Sequence, residues 1–393
     1  MRRTRRYLGL LLSLLLLLSA GGCWSRKDVE ELGIVTLVGY DRIMRNGHEM
    51  WQESIRILSG MAPAQGGKPQ GLSSETLFKG TGLTIQQAGT NLNLRTSRLP
   101  FYGDIVGAII GEKAAEENLR DIVDLLLRHP QARPGTYILV CKGEAFNLMR
   151  SEPEMTKTLS KELNEMIEQR VCRLGVSFPV TLAQFAEWLL SPDRDAVASE
   201  VQPVYPRENT PKTVSQSLLV SGLAVFRGPK LVGFLNKEES LGTELIVHSL
   251  NRAQVAIPLP EDGRYFTYQV MSGRHKIIPS VQDGKVSYRV EIDVKGAVFD
   301  AAGHELSLQS AEHVEALAAD KIRGIVLRAV QKAKDFRADY LGLSQELHRT
   351  DPAEWEEIQP QWRENFVEAP VDVEVKAQVL SSGSLGAKLP LKP

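Results

Sequence analysis

Cys23 is the residue whose type and setting most directly predict chemistry. It closes the stretch Ser19-Ala20-Gly21-Gly22-Cys23, behind an apolar run from Leu8 to Leu18 and four arginines, Arg2, Arg3, Arg5 and Arg6. A positive start, a short apolar run and small residues make a signal peptide. The run has 11 residues, too few for a finished transmembrane helix, which needs about 20. Small residues ending at a cysteine are what a lipoprotein signal peptidase requires. The thiol is first joined to a diacylglycerol, and cleavage then leaves Cys23 as the new N-terminus. Cys23 is therefore the expected lipid-attachment residue. An ordinary secretory signal with an incidental cysteine and an uncleaved anchor helix are the alternatives. Ala20 stands where a leucine is usual, three residues before the cysteine, and Leu18 lies two positions too early to fill that role.

Other reactive constellations are missing from the sequence. The seven histidines, His48, His129, His248, His275, His304, His313 and His348, form no HExxH. His304 and His313 lie nine residues apart, a spacing that does not share a helical face. There is no GxSxG nucleophile elbow and no GxxxxGK[ST] phosphate loop. Gly80-Thr81-Gly82 lacks the third glycine of a dinucleotide fingerprint. CxxC pairs are absent, so zinc has no evident site. Glu152-Pro153-Glu154, Glu238-Glu239 and Glu354 to Glu357 could supply paired carboxylates for glycosidic acid/base work, but each reads better as a solvated face. Trp355, Trp362 and Phe366, spaced by 7 and 4, read as a packing stripe. The sequence motifs thus offer no catalytic, cofactor or metal site, and the one attached group they leave expected is the covalent acyl lipid on Cys23.

Composition agrees with a globular body. Of 393 residues, 42% are hydrophobic and 24% charged, which excludes global disorder, a collagen repeat and a multi-span membrane protein. Forty-seven basic residues against 48 acidic ones argue against a nucleic-acid binder. Cleavage before Cys23 would leave 371 residues, with 43 basic against 48 acidic, a net charge of −5. That mild acidity suits an ectodomain standing above an anionic membrane. Cys141 and Cys172 have the alternatives of pairing or remaining buried thiols, since the compartment permits a disulfide.

The elements read in order as follows. Ile34–Val38 and Met50–Leu58 flank Asn46-Gly47, a hairpin signature. Residues 59–73 are rich in Gly, Pro, Ser and Gln and read as an exposed loop. A helix is expected over Thr84–Asn93 and a strand over Ile105–Ile110. Gly111–His129 is a helix with Ala115, Leu119, Ile122 and Leu126 on one stripe, stopped by Pro130. A strand follows at Thr136–Cys141, then helices over Thr156–Val171 and Thr181–Leu190. The four prolines within 191–213 mark a linker. Ser217–Phe226 and Leu231–Leu235 form a second hairpin around Gly228-Pro229. A second linker is expected over 256–263. Val286, Tyr288, Val290, Ile292 and Val294 alternate with polar residues, as in a sheet wet on one side. The helix Ser310–Phe336 would cover it, carrying Val314, Ala318, Ile322, Ile325 and Ala329 on one stripe. The last strand starts at Val371, and the tail 381–393 reads as disordered.

These patterns predict an α+β, mixed α/β fold: two α+β units with a small third piece between the linkers, their antiparallel or mixed sheets covered by helices, behind a cleaved lipoprotein signal peptide. The divisions are the signal peptide 1–22, an N-terminal domain 23–195, a small middle domain 196–255 and a C-terminal domain 256–385.

In this order the residues resemble the C subunits of spore germinant receptors, the GerAC or Ger(x)C lipoproteins. The similarity runs through Gly22-Cys23-Trp24-Ser25-Arg26, Glu31-Leu32-Gly33-Ile34-Val35 and Gly39-Tyr40-Asp41. It continues through Ile110-Gly111-Glu112-Lys113-Ala114-Ala115, Leu126-Leu127-Arg128-His129-Pro130 and Arg133. Ser221-Gly222-Leu223-Ala224-Val225-Phe226 and Lys230-Leu231-Val232-Gly233 follow. Asp339-Tyr340-Leu341-Gly342, Trp355, Trp362 and Phe366 complete it. The family's phenylalanine-glycine-histidine is Tyr102-Gly103-Asp104 here, and serine follows Trp24 where aspartate is common.

The resemblance implies an extended three-domain ectodomain of α/β domains, with the family's C-terminal region spanning about 215–385. It implies a palmitate-type lipoprotein on the outer face of the spore inner membrane, working with integral-membrane A and B subunits in nutrient-triggered germination during the sporulation cycle. No catalytic residue is carried over, because the resemblance implies a protein that is not an enzyme and has no cofactor, and the lack of catalytic motifs agrees with that. Two rivals stand beside it. A solute-binding lipoprotein of a transporter would need two similar lobes around a hinge, and an anchored wall hydrolase would need a deep carboxylate or metal pocket.

Overall fold

The computed structural model describes residues 31–58, 74–171, 174–205, 216–250, 252–259, 264–299 and 308–381. The alternation of apolar and polar residues builds a first, nine-stranded sheet. β1 (Leu32–Arg45) and β2 (His48–Leu58) form the expected antiparallel hairpin. Asn46 and Gly47 turn it at φ 53° and 78°, the left-handed pair that matches strand twist. β3 (Glu75–Gly82) adds to β2, and α1 (Ile85–Asn93) folds back over both, its N-terminus capped by Thr84 Oγ1. β4 (Leu99–Phe101) and β5 (Gly107–Gly111) pair in parallel with β1.

The helix expected over Gly111–His129 is two, α2 (Glu112–Asn118) and α3 (Arg120–Arg128). The Leu119 N–H donates to the Pro229 carbonyl at 2.9 Å, so an outside acceptor interrupts the helical ladder there. Ala115, Leu119, Ile122 and Leu126 are buried as the stripe predicts. β6 (Tyr137–Cys141), parallel to β5, leads to α4 (Ala145–Leu148) and α5 (Leu159–Glu165), which runs on into a π-helical turn, Met166–Val171. α6 (Leu182–Leu190) carries a full capping box between Thr181 and Gln184. β7 (Val197–Val204), β8 (Ser217–Arg227) and β9 (Lys230–Leu235) complete the order β3-β2-β1-β5-β6-β7-β8-β9.

Successive side chains serve opposite faces of this sheet. Val38, Ala108, Ile110, Ile138 and Val140 enter one core with α2, α3 and α6. Leu37, Ile109, Leu139 and Cys141 enter the other with α4 and α5. A strand buried on both faces reads as a continuous apolar run, which is why Gly107–Gly111 shows no polar alternation.

The second sheet has the order β10 (Ala253–Pro258), β11 (Tyr265–Gln282), β12 (Lys285–Phe299), β13 (Val371–Ser381). The first two pairings are antiparallel, and β12 with β13 is parallel. The parallel edge follows from the crossover through α8 (Leu308–Phe336), which packs on β13 and buries Val314, Ala318, Ile322, Ile325 and Ala329. α9 (Leu343–Thr350), α10 (Pro352–Ile358) and α11 (Trp362–Glu368) complete the crossover.

Two expectations change. Residues 196–255 make no sheet of their own. β7 to β9 continue the first sheet, because the apolar half of β7, Val197 and Ala198, is buried beside β8. α7 (Lys237–Val247) instead packs on α8. The second linker, 256–263, starts inside β10, whose buried and exposed residues alternate strictly. The loop 59–73 and most of the tail, 382–393, lie outside the described residues. The architecture is mixed α/β with two mixed sheets, as the sequence predicts. The two sheets, of nine and four strands, are not the pair of similar lobes that a hinged solute binder needs.

Candidate functional site

Cys23, the expected lipid-attachment residue, lies outside the described residues, as does Cys172. Cys141 is a buried free thiol at the end of β6, and burial pushes its pKa up. No helix among the described residues is long and apolar enough to cross a membrane. Among them, no three His, Cys, Asp or Glu side chains gather as metal ligands. His304 is outside the described residues. The carboxylate runs have local partners. Glu238 pairs with Lys321 at 3.0 Å and Arg328 at 2.7 Å, Glu239 closes the N-cap box of α7, and the Glu354 N–H bonds Asp351, the N-cap of α10.

What the fold assembles instead is a set of buried charges. On one face of the first sheet, Arg56 of β2 meets Glu75 of β3 at 3.5 Å, both side chains almost wholly buried. Arg56 also donates to the carbonyls of Met149 and Ser151, at 2.8 and 2.6 Å. Glu75 accepts from Thr36 Oγ1, Ser160 Oγ and the Leu159 N–H. One ion pair thereby joins β1, β2, β3 and the segments around α4 and α5. Asp41 of β1 caps α4, accepting the N–H groups of Ala145 and Phe146 at 2.6 and 2.9 Å. Burial raises its carboxyl to about 6, against the pull of those bonds.

A second cluster bridges the two sheets. Asp195, just ahead of β7, has its side chain fully buried and paired with Arg363 of α11. Its oxygens also accept the N–H groups of Gly228 and Asp339, at 3.0 and 3.1 Å. Asp339 in turn accepts from the N–H groups of Gly342, Leu343 and Ser344, which shapes the turn into α9. Arg194 donates to the Tyr340 carbonyl and to Gln345. Asp193 meets His348 Nδ1 at 2.6 Å, and the His348 ring stacks on the buried Trp355. Three consecutive residues, Asp193-Arg194-Asp195, hold three segments of the C-terminal part: the turn at Asp339-Tyr340, α9 and α11.

A third site is a chamber against α1. Glu53 of β2 is 6% exposed, and Tyr102 donates to its Oε1 at 3.3 Å. Burial raises the Glu53 carboxyl to about 7. Tyr40 and His129 also face this space.

The comparisons bear on these elements directly. The family model for the spore germination protein N-terminal domain matches residues 25–203. The model described as spore germination B3/GerAC like, C-terminal, matches residues 221–383. The chain belongs to the GerAC family. Spore germination protein KC of Bacillus subtilis (strain 168) is 23% identical over 95% of this chain and 96% of its own. Spore germination protein A3 of the same organism is 24% identical over 93% and 95%. A crystal structure of the GerBC protein superposes with a TM-score of 0.56, at 16% identity, over 87% of this chain and 97% of that one. That likeness shows a shared fold.

The residues that carry the GerAC resemblance now have physical roles. Asp339 and Gly342 build the bridging turn, and Tyr340 is buried with its hydroxyl on the Ala329 carbonyl at 3.1 Å. Trp355 and Phe366 are buried under the second sheet's helices, as the stripe predicts, and Trp362 packs beside Trp355. Tyr40 and His129 gather at the chamber, and Asp41 caps α4. Sequence reasoning missed Glu53 and Asp195. The available signal was an acidic residue inside a strand that is otherwise buried, Gln52-Glu53-Ser54-Ile55-Arg56, and a DRD run ahead of an apolar strand.

Proposed function

We propose that this chain is the lipid-anchored C subunit of a spore germinant receptor. It would stand on the outer face of the spore inner membrane, tethered by acyl lipid on Cys23, and support nutrient-triggered germination beside integral-membrane A and B subunits. The observation that carries the reading is the end-to-end match of both GerAC domain models behind the leader that ends at Cys23. The charges are spent internally, on helix caps and on the bridge between the sheets, which favours a structural and coupling role over catalysis.

The physics of a tether supports the same reading. One acyl chain gives marginal, reversible binding, whereas two, at about 0.8 kcal/mol per buried CH2, hold stably. Confinement to a thin layer raises the effective concentration at membrane partners, so modest contacts suffice. A body whose two sheets are locked by Asp195 and its neighbours can pass force or position between those partners.

The test is Cys23→Ala together with detergent extraction of spore membranes using a tagged chain. The reading expects multi-span subunits to co-purify with the native chain, and germination to weaken in the variant while its ectodomain stays folded. Full germination supported by an unlipidated, unanchored chain would overturn it.

A further inference from the structure

The chamber beside α1 has a volume of about 120 Å3, a little less than the roughly 150 Å3 of engineered cavities that hold benzene. Its polar anchor is Glu53, whose carboxylate has the Tyr102 hydroxyl as its hydrogen-bond partner among the described residues. An ionised carboxylate has about four acceptor sites, so most of this group's capacity is unfilled. Tyr40 and Tyr102 supply aromatic surface, Ile85 and Ile105 apolar surface, and the exposed Thr90 of α1 stands at the mouth. Among the described residues, no lysine or arginine lines the space. His129 supplies no cation either: burial lowers its pKa, and its Nδ1 accepts the Gln131 N–H at 3.3 Å.

Burying a carboxylate is costly unless it is paired, and among the described residues no basic side chain pairs with this one. A cation entering from solution would fill the unused acceptor sites. Aromatic faces add attraction for such a charge. The same surroundings repel anions and offer a neutral solute little. We propose that this chamber is a binding site for a small organic ammonium ion, a primary amine of a few non-hydrogen atoms, with its NH3+ on Glu53 and its alkyl part against Ile85 and Ile105. The site goes beyond the anchoring role and does not depend on Cys23.

Saturation-transfer NMR on the full lipidated chain in detergent micelles tests it, with n-propylammonium, 1-propanol and propionate as matched probes. Propylammonium alone should receive saturation, with a Kd of about 1 mM for so small a ligand. Its affinity should rise about tenfold between pH 6 and pH 8, because the Glu53 carboxyl ionises at about 7. The other titratable groups facing the chamber are the two tyrosines, raised by burial away from that range, and His129, which burial lowers. Glu53→Gln should remove both the binding and its pH dependence. Ala132→Leu, which narrows the chamber and leaves Glu53 intact, should remove the binding in a chain whose circular dichroism is unchanged. Equal transfer to all three probes, no transfer to propylammonium, or binding that survives both variants would each overturn the assignment.

Discussion

Arg363 grips Asp195 with both terminal guanidinium nitrogens across 168 residues of sequence, Nη1 on Oδ2 and Nη2 on Oδ1. The aspartate lies at the start of the strand that extends the first sheet, and the arginine on a helix that covers the second. Fork-to-fork pairing fixes orientation as well as distance. Because Asp195 also accepts two backbone N–H groups, it is an ordering centre for the whole junction, and the two sheets are held as one body.

Arg363→Ala should therefore uncouple the halves. It leaves a fully buried carboxylate without its counter-charge, a change that typically costs 3–5 kcal/mol. The arginine side chain is 30% exposed, so about 2–3 kcal/mol is the expectation after solvent screening. Urea unfolding followed by both tryptophan fluorescence and far-UV circular dichroism reads it. The wild-type probes should coincide and the variant's should separate. Coincident curves at wild-type stability would mean that the pair does not couple the sheets.

Arg56→Met asks the same question inside one sheet. The substitution roughly keeps the volume and takes the buried counter-charge from Glu75, which retains neutral donors such as Thr36, Ser160 and the Leu159 N–H, while the Met149 and Ser151 carbonyls lose the guanidinium. A loss of about 3–5 kcal/mol is expected, measured by urea unfolding at neutral pH. The double variant Arg56→Met with Glu75→Leu should recover a good part of that loss, because removing both charges removes the desolvation cost as well.

Gly80 gives a sharper structural test. A Cβ there would lie 2.3 Å from the Ala88 carbonyl oxygen and 2.5 Å from the Leu92 nitrogen. Both are backbone atoms of α1, which cannot yield as a flexible side chain would. Gly80→Ala should thus push α1 off β3, at about 1–3 kcal/mol, the usual range for overpacking. Thermal melting with amide hydrogen exchange in α1 checks it, and unchanged protection in 85–93 would refute the close contact.

The glycines of Gly80-Thr81-Gly82 also show what a sequence does and does not disclose. As a dinucleotide fingerprint they lack the third glycine, and their role comes instead from the close approach of α1 to β3. Local signals read well. Asn46-Gly47 turns the first hairpin, Thr181 caps α6, and the stripe from Val314 to Ala329 is buried. Each depends on neighbours within a few residues. Asp195 and Glu53 depend on partners 168 and 49 positions away, which no local period encodes. The helix break at Leu119 has the same cause, an acceptor at Pro229. The prolines of 191–213 pointed to a boundary because proline marks linkers, yet Pro203 pairs near the end of β7 with Leu218, where a strand tolerates it better than at its centre.

Glu244 sets a pH dependence of stability that can be isolated. It sits on α7, its Oε2 buried without a hydrogen-bond partner among the described residues, and burial raises its carboxyl from 4.5 to about 8. The folded chain therefore keeps a proton that the unfolded chain releases above about 4.5. Stability falls as pH rises from there through about 8 and levels off beyond. His248 works in the other direction: burial lowers it to about 4, so folding is penalised as pH drops below 6.5. Comparing Glu244→Gln with wild type cancels the histidine contribution. The variant should match wild type at pH 4.5 and exceed it at pH 8 by a few kcal/mol, at about 1.4 kcal/mol for each unit of displacement. Chemical denaturation at the two pH values measures the difference. A gain of the same size at both would show that the amide merely packs better, and that the carboxyl is not held protonated by the fold.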